Sequence, residues 1–154
     1  MMQAIVLFST LCIASEAAAN DSSPAAEVTA ANAADLARMQ GDWMVTSMIT
    51  GGVKVEDEEA QALFRTIEGD KYKVSRYSKV IGQGTFVIDA TKSPATIDSS
   101  PANVDPKKKI LGIYQWDGDR LQVCNAQLGF PRPKTFEAKF GTGHTMVIWE
   151  REKK

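Results

Sequence analysis

The chain has 154 residues, 44% of them apolar, with 18 Lys and Arg against 19 Asp and Glu. This length and apolar content predict one domain with its own core. The balanced charge excludes the basic excess of a nucleic-acid-binding protein, so no nucleic-acid partner is expected. The one basic run, Lys107 to Lys109, is interpreted as a solvated turn.

The N-terminus has the pattern of an export signal. Ile5 to Ala14 is an apolar run too short for a bilayer, which needs about 20 residues, and Ala17 to Ala19 offer an A-x-A cleavage site. We therefore predict a signal peptide over residues 1–19, a periplasmic or secreted protein, and no membrane span after cleavage. Cleavage removes Cys12, so no intramolecular disulfide is expected, and Cys124 is interpreted as a small buried hydrophobe.

The segment after the cleavage site has the composition of a linker. Residues 20–35 are rich in alanine and serine and predict a flexible tether, with the folded domain over 36–154. Near this boundary, Asn32 is a candidate N-cap for a short helix from Ala33 to Met39.

The first strand is predicted to begin at Gly41. Trp43, Val45, Ser47 and Ile49 alternate and are predicted to share one face of it. Acidic residues at 56–59, followed by helix formers, predict a short helix between the first and second strands. The segment from Val55 to Phe64 would then lie as a lid over a barrel mouth.

Seven further strands are indicated by alternation and turn residues. Residues 67–72 are typical of a hairpin between the second and third strands, and later strands are predicted over 85–89, 96–98, 110–116, 121–124 and 145–151. This series predicts an all-β protein. Its fold is an eight-stranded antiparallel up-and-down β-barrel, with a short N-terminal helix and a short helix between the first two strands. Closure is favoured because it removes exposed sheet edges.

Two short motifs at the ends of the domain support closure. Gly41-Asp42-Trp43 opens the first strand and Trp149-Glu150-Arg151 ends the last. This pairing is typical of barrels of the lipocalin type, in which the last strand returns to the first. A guanidinium over the indole face contributes roughly 0.5–2 kcal/mol. We therefore predict that Trp43 and Arg151 close the base of the barrel.

A wider resemblance runs from residue 39 to residue 154. The segments GDWMVTSM, TIEGDKY, GTFVID, LGIYQWDGDRLQVC, GFPRPKTF and EREKK occur in this order. Together they resemble a family of small lipocalin-like domains of uncharacterised function that is common in planctomycete bacteria, often behind a signal peptide. The resemblance implies the barrel fold and export. It implies no functional residue beyond Trp43 and Arg151.

The residues usual in catalytic and metal sites are scarce. His144 is the single histidine and lies after a Gly-Thr-Gly turn, so it is interpreted as a solvated residue. One histidine and one retained cysteine are too few for a zinc site, and no G-x-S-x-G nucleophile motif is present. We expect no catalytic residue, no metal and no cofactor, and therefore no enzyme.

Two non-catalytic functions remain open from the sequence. In the first, the barrel holds a small apolar molecule. The candidate lining residues, predicted to face inward, are Val45, Tyr72, Val74, Phe86, Tyr114, Trp116 and Val123. In the second, the barrel is filled by its own side chains and the chain is a secreted interaction or inhibitor module. The loop around Phe130 and Arg132 would then dock onto an unknown protein partner.

Overall fold

The computed structural model describes residues 24–153, with side chains from residue 29 onward. The predicted signal peptide over residues 1–19 lies outside the described residues. The described part contains two helices, α1 (Pro24–Met39) and α2 (Asp57–Gln61). Its strands are β1 (Gly41–Thr50), β2 (Val53–Lys54), β3 (Leu63–Glu68), β4 (Lys71–Arg76), β5 (Lys79–Asp89), β6 (Ala95–Pro101), β7 (Ile110–Asp117), β8 (Arg120–Ala126) and β9 (His144–Arg151).

Eight of these strands form a closed antiparallel barrel. From β3 to β9 each strand pairs with the next in the chain, while β1 pairs with both β3 and β9. The short β2 pairs with the end of β1 and extends the sheet there. The predicted all-β, eight-stranded up-and-down barrel of lipocalin-like form, with two short helices, is confirmed.

Helix α1 begins earlier than the sequence predicted. It starts at Pro24 rather than Ala33, since proline suits the first turn of a helix and alanine is the strongest helix former. Asn32, the predicted N-cap, lies inside the helix, and its Oδ1 accepts a hydrogen bond from the N–H of Ala90 at 2.8 Å. The predicted flexible linker is therefore corrected over residues 24–35.

Strand β1 contains an irregularity that simple alternation does not predict. Its pairing with β9 changes register between Val45, opposite Trp149, and Ser47, opposite Ile148. A bulge of this kind inserts one residue and reverses the phase of the side chains beyond it. Met48 therefore packs against the core instead of Ser47. The predicted single face of β1 is wrong beyond Val45.

The segment predicted as a lid packs against β1. Helix α2 is shorter than the predicted lid segment, Val55 to Phe64, and Phe64 already belongs to β3. Ala60 is fully buried, and the N–H of Val55 donates to the carbonyl of Met48 at 2.8 Å. The segment therefore belongs to the wall of the barrel.

Of the helices in residues 24–153, none has the length and apolar character needed to cross a bilayer.

Helix α1 covers one end of the barrel, which we call the closed end. The side chain of Gln40, just after the helix, bonds both backbone groups of Gly69 in the β3–β4 turn, at 3.0 and 2.6 Å. Asn32 holds the β5–β6 turn, and Arg38 donates to the carbonyl of Gly118 in the β7–β8 turn. Three hairpin turns are thus fixed by α1 and the residue that follows it. The opposite end, with the β4–β5 turn and the β6–β7 loop, is the open end.

Candidate ligand-binding cavity

A cavity of about 420 Å³ lies inside the barrel toward the open end. Its lining residues come from every strand between β3 and β9 and from the β6–β7 loop, so they surround one interior space. They are Arg65, Tyr72, Val74, Ile81, Gly82, Gln83, Ser99, Pro101, Asn103, Ile110, Asn125 and Trp149. None of these twelve residues comes from α2, so the predicted lid does not line the cavity.

A second concavity lies on the outer face of the barrel. It measures about 440 Å³, and its lining includes the exposed side chains of Glu68, Lys71 and Lys73. Charged groups in such a position are already well solvated, so a ligand gains little by replacing their water. The interior cavity is therefore the stronger candidate site.

Small side chains keep the interior cavity open. A Cβ added at Gly82, on the cavity wall, would meet no atom within 4 Å. Ser99 and Asn125 take wall positions where a large apolar side chain would fill the space. Gly112, opposite Asn125 in the β7–β8 pair, lacks the Cβ that would overlap the amide oxygen of Asn125. Strand alternation predicts inward side chains at these wall positions. Gly82, Ser99 and Asn125 are too small to fill the interior of the barrel.

Arg65 is the one charged residue among the twelve that line the cavity. It is 6% exposed, and its Nε is buried without a hydrogen-bond partner in the described part of the chain. Its guanidinium carbon lies 5.0 Å from the ring centroid of Tyr72 and 5.5 Å from that of Phe86. Among residues 24–153, no carboxylate forms an ion pair with it.

Burial lowers the pKa of Arg65 but leaves the group charged at neutral pH. Desolvation disfavours the charged form and lowers the pKa of Arg65 to about 10, while the nearby Tyr72 acts in the opposite direction. Burial of Tyr72 raises the pKa of its own hydroxyl. Arg65 therefore places a cation in the cavity wall whose described neighbours include two aromatic faces but no ion-paired carboxylate.

The sequence contains a signal for Arg65, although Arg65 was not among the predicted lining residues. Leu63, Arg65 and Ile67 alternate in β3 and are all buried. An arginine in the inward phase of a strand is unusual, because Arg is almost never fully buried unless it is paired. Extending the predicted helical lid to Phe64 concealed this pattern.

The seven predicted lining residues separate into two groups. Tyr72 and Val74 line the cavity. The others pack within the barrel core and are not among the cavity-lining residues: Val45, Phe86, Tyr114, Trp116 and Val123. Inward orientation was therefore not enough to identify cavity walls, because most inward positions are filled by neighbouring side chains.

Two of these aromatic residues are committed to the closed end. Asp35 of α1 accepts hydrogen bonds from the hydroxyl of Tyr114 at 2.7 Å and from the indole N–H of Trp116 at 3.2 Å. Burial, together with this bond, raises the pKa of Tyr114 far above its usual range. Arg38 also lies over Trp116, with its guanidinium carbon 3.8 Å from the ring centroid. Both polar groups already have partners, so these rings seal the barrel.

Trp43 and Arg151 lie together at the closed end. The guanidinium carbon of Arg151 is 4.4 Å from the Trp43 ring centroid. Its two terminal nitrogens donate to the carbonyls of Gln40 at 2.7 Å and Arg38 at 2.5 Å. Trp43 is 1% exposed, and its indole N–H donates to the carbonyl of Met39 at 2.8 Å. These contacts join the last strand to the start of the first.

The predicted interaction loop, within residues 127–143, is anchored to the outside of the barrel. Arg132 makes a two-pronged ion pair with Asp98, with N–O distances of 2.5 and 3.0 Å, and donates to the carbonyl of Gly112 at 2.6 Å. Phe130 is 42% exposed and packs beside Gly143. Of the two residues predicted to contact a partner, Arg132 is engaged within the fold and Phe130 is partly exposed.

Cys124 lies on β8, before this loop, and His144 lies on β9, after it. Cys124 is fully buried, and burial raises the pKa of its thiol to about 11, so its interpretation as a small buried hydrophobe is confirmed. His144 begins β9, is partly buried, and has a buried Nε2 without a partner among the described residues. Its interpretation as a solvated turn residue is wrong.

In residues 24–153, no three His, Cys, Asp or Glu side chains cluster as metal ligands.

Comparisons of the chain with protein-family models, with curated proteins and with solved structures find no match. The resemblance to planctomycete domains therefore stays a prediction.

Proposed function

We propose that this chain is a non-catalytic binding domain that holds a small molecule in the open-end cavity of its barrel. The single observation that carries the proposal is the interior cavity of about 420 Å³. Small-molecule sites typically measure about 300–1,000 Å³ and combine apolar walls with a few placed polar groups. Val74, Ile110 and Trp149 supply the apolar walls, and Ser99 and Asn125 supply neutral polar groups.

The chemistry of the cavity wall supports binding rather than catalysis. The twelve described lining residues include no histidine, cysteine, aspartate or glutamate. These are the side chains that most often act as general bases or activated nucleophiles. The lining serine and tyrosine, Ser99 and Tyr72, have no such side chain among the twelve to activate them, which supports binding over catalysis.

The alternative, an interaction module built on a filled barrel, has less support. It needs an interior filled by side chains, whereas Gly82 faces open space. It also needs Arg132 at the contact surface, whereas the guanidinium of Arg132 pairs with Asp98. The proposed binding function is compatible with both observations.

The site of action that we propose is outside the cytoplasm. The basis is the sequence pattern of residues 1–19, with cleavage after Ala19. N-terminal sequencing of the protein from its own source should start at Asn20. A protein that retains Met1 would contradict export.

A cavity-filling variant tests the binding proposal. Gly82→Ile adds a β-branched side chain where a Cβ meets no atom, so the barrel should fold while the cavity loses volume. Thr85→Ile is the matched control, because it adds apolar bulk at an exposed position of the same strand. We expect the neutral fluorescent probe aminoanthracene to bind the wild-type protein and Thr85→Ile, and to bind Gly82→Ile at least about tenfold more weakly.

Two results would contradict the proposal. One is the absence of probe binding to the wild-type protein. The other is equal probe affinity in wild-type protein and in folded Gly82→Ile, because the probe would then lie elsewhere. Native mass spectrometry of protein from its own source would identify the natural ligand without prior choice of chemistry.

A further inference from the structure

The cavity has an unbalanced charge. Arg65 is the one charged residue among its twelve lining residues, and it is 94% buried because its exposed fraction is 6%. Its Nε has no hydrogen-bond partner among the described residues. Buried arginines in proteins are usually paired, so an anion bound in the cavity beside the guanidinium would supply a charge partner that the described residues do not.

The surroundings of the guanidinium favour an anion over bulk water. The rings of Tyr72 and Phe86 lie 5.0 and 5.5 Å from the guanidinium carbon and restrict its solvation from two directions. Charge-assisted hydrogen bonds are stronger in such a low-dielectric site than in water. The pKa of Arg65, about 10, leaves the group charged at neutral pH.

The form of the site defines the class of anion. A planar guanidinium matches a carboxylate through two parallel hydrogen bonds. One cation without a neighbouring lysine or second arginine in the cavity wall balances a single negative charge, which suits a monocarboxylate better than a phosphate dianion. Val74, Ile110 and Trp149 provide apolar surface for the rest of the molecule.

We propose that the open-end cavity binds a small monocarboxylate with an apolar body, and that its carboxylate pairs with the guanidinium of Arg65. This inference rests on the binding function proposed above and names its ligand class. Arg65 is then the residue that determines specificity, and the bound carboxylate supplies the partner that the buried cation lacks.

Displacement of aminoanthracene by decanoate and by decanol tests the inference. The two compounds share one apolar chain and differ in charge at the head group. We expect decanoate to displace the probe from the wild-type protein at a concentration about tenfold or more below that of decanol. Methyl decanoate, which keeps the ester oxygens but not the charge, should behave like decanol.

Two variants assign this preference to Arg65. Arg65→Gln removes the charge and keeps a polar side chain, so the preference for decanoate should fall to about twofold or less while decanol displacement changes little. Arg76→Gln removes one positive charge from an exposed position of β4 and should leave the preference unchanged. A loss of preference in both variants would indicate general surface charge and overturn the inference.

The outcomes separate this inference from the proposed function. Equal displacement by decanoate and decanol from the wild-type protein would overturn the carboxylate inference, while probe binding sensitive to Gly82→Ile would leave the cavity function intact. Absence of probe binding to the wild-type protein would overturn both. The comparison of the three compounds needs only the wild-type protein, so it decides the question even where Arg65→Gln does not fold.

Discussion

The closed and open ends of the barrel differ in how their buried polar atoms are satisfied. At the closed end, the indole N–H of Trp43 bonds to Met39, and the polar atoms of Tyr114 and Trp116 both bond to Asp35. In the cavity, which reaches the open end, Arg65 is buried and its Nε has no hydrogen-bond partner among the described residues. The closed end is complete without a ligand, whereas the cavity holds a charge that a ligand would balance. This contrast separates the positions that hold the barrel together from those that we expect to determine binding.

The largest expected effect is at the closed end. Trp43→Ala should lower the free energy of unfolding by about 3–5 kcal/mol, because it leaves a large void under α1 and removes the ring beneath Arg151. Arg151→Ala should cost less, and the losses should not add in the double variant, since each removes the same contact. Urea unfolding of the three variants measures this, and strict additivity would show that the pair does not interact.

An opposite sign is expected at the cavity. Arg65→Met should raise the free energy of unfolding of the ligand-free protein by about 1–3 kcal/mol, because an apolar side chain of similar length replaces a buried cation that has no ion-pair partner in residues 24–153. The exposed Arg76→Met is the control and should change stability by less than about 0.5 kcal/mol. If Arg65→Met is clearly destabilising, Arg65 stabilises the fold and the contrast between the two ends fails.

The smallest effect is expected outside the barrel. Asp98→Asn breaks the ion pair that anchors the loop through Arg132 and should cost about 1 kcal/mol, because both side chains are partly solvated. Glu137→Gln removes an ion pair with Lys139 that is more exposed, and it should change stability less than Asp98→Asn does. Aminoanthracene affinity should stay unchanged in both variants. A large loss of probe affinity in Asp98→Asn would show that the loop contributes to the cavity.

The sequence predicted the features that depend on local pattern. Strand alternation and turn residues are local, and Trp43 and Arg151 carried a motif, so the closed barrel followed from them. The start of α1 did not follow, because its alanine-rich composition suits both a linker and a helix. Contacts with three distant turns, such as that between Asn32 and Ala90, help to settle the choice.

The site was harder to predict for a different physical reason. Whether an inward position is filled depends on side chains from several strands at once, and the bulge after Val45 changes that arrangement without a sequence signal. The inward orientation of Arg65 could be predicted from its alternation with Ile67. Its lack of a partner among the described residues could not. The ion pair of Arg132 joins residues 34 positions apart, which no local pattern indicates.

A crystal structure of the protein grown with decanoate tests the central claim most directly. We expect the apolar chain inside the barrel against Trp149 and the carboxylate within about 3 Å of the Arg65 guanidinium. Decanoate bound only on the outer surface, or a barrel interior already filled by its own side chains, would contradict the account.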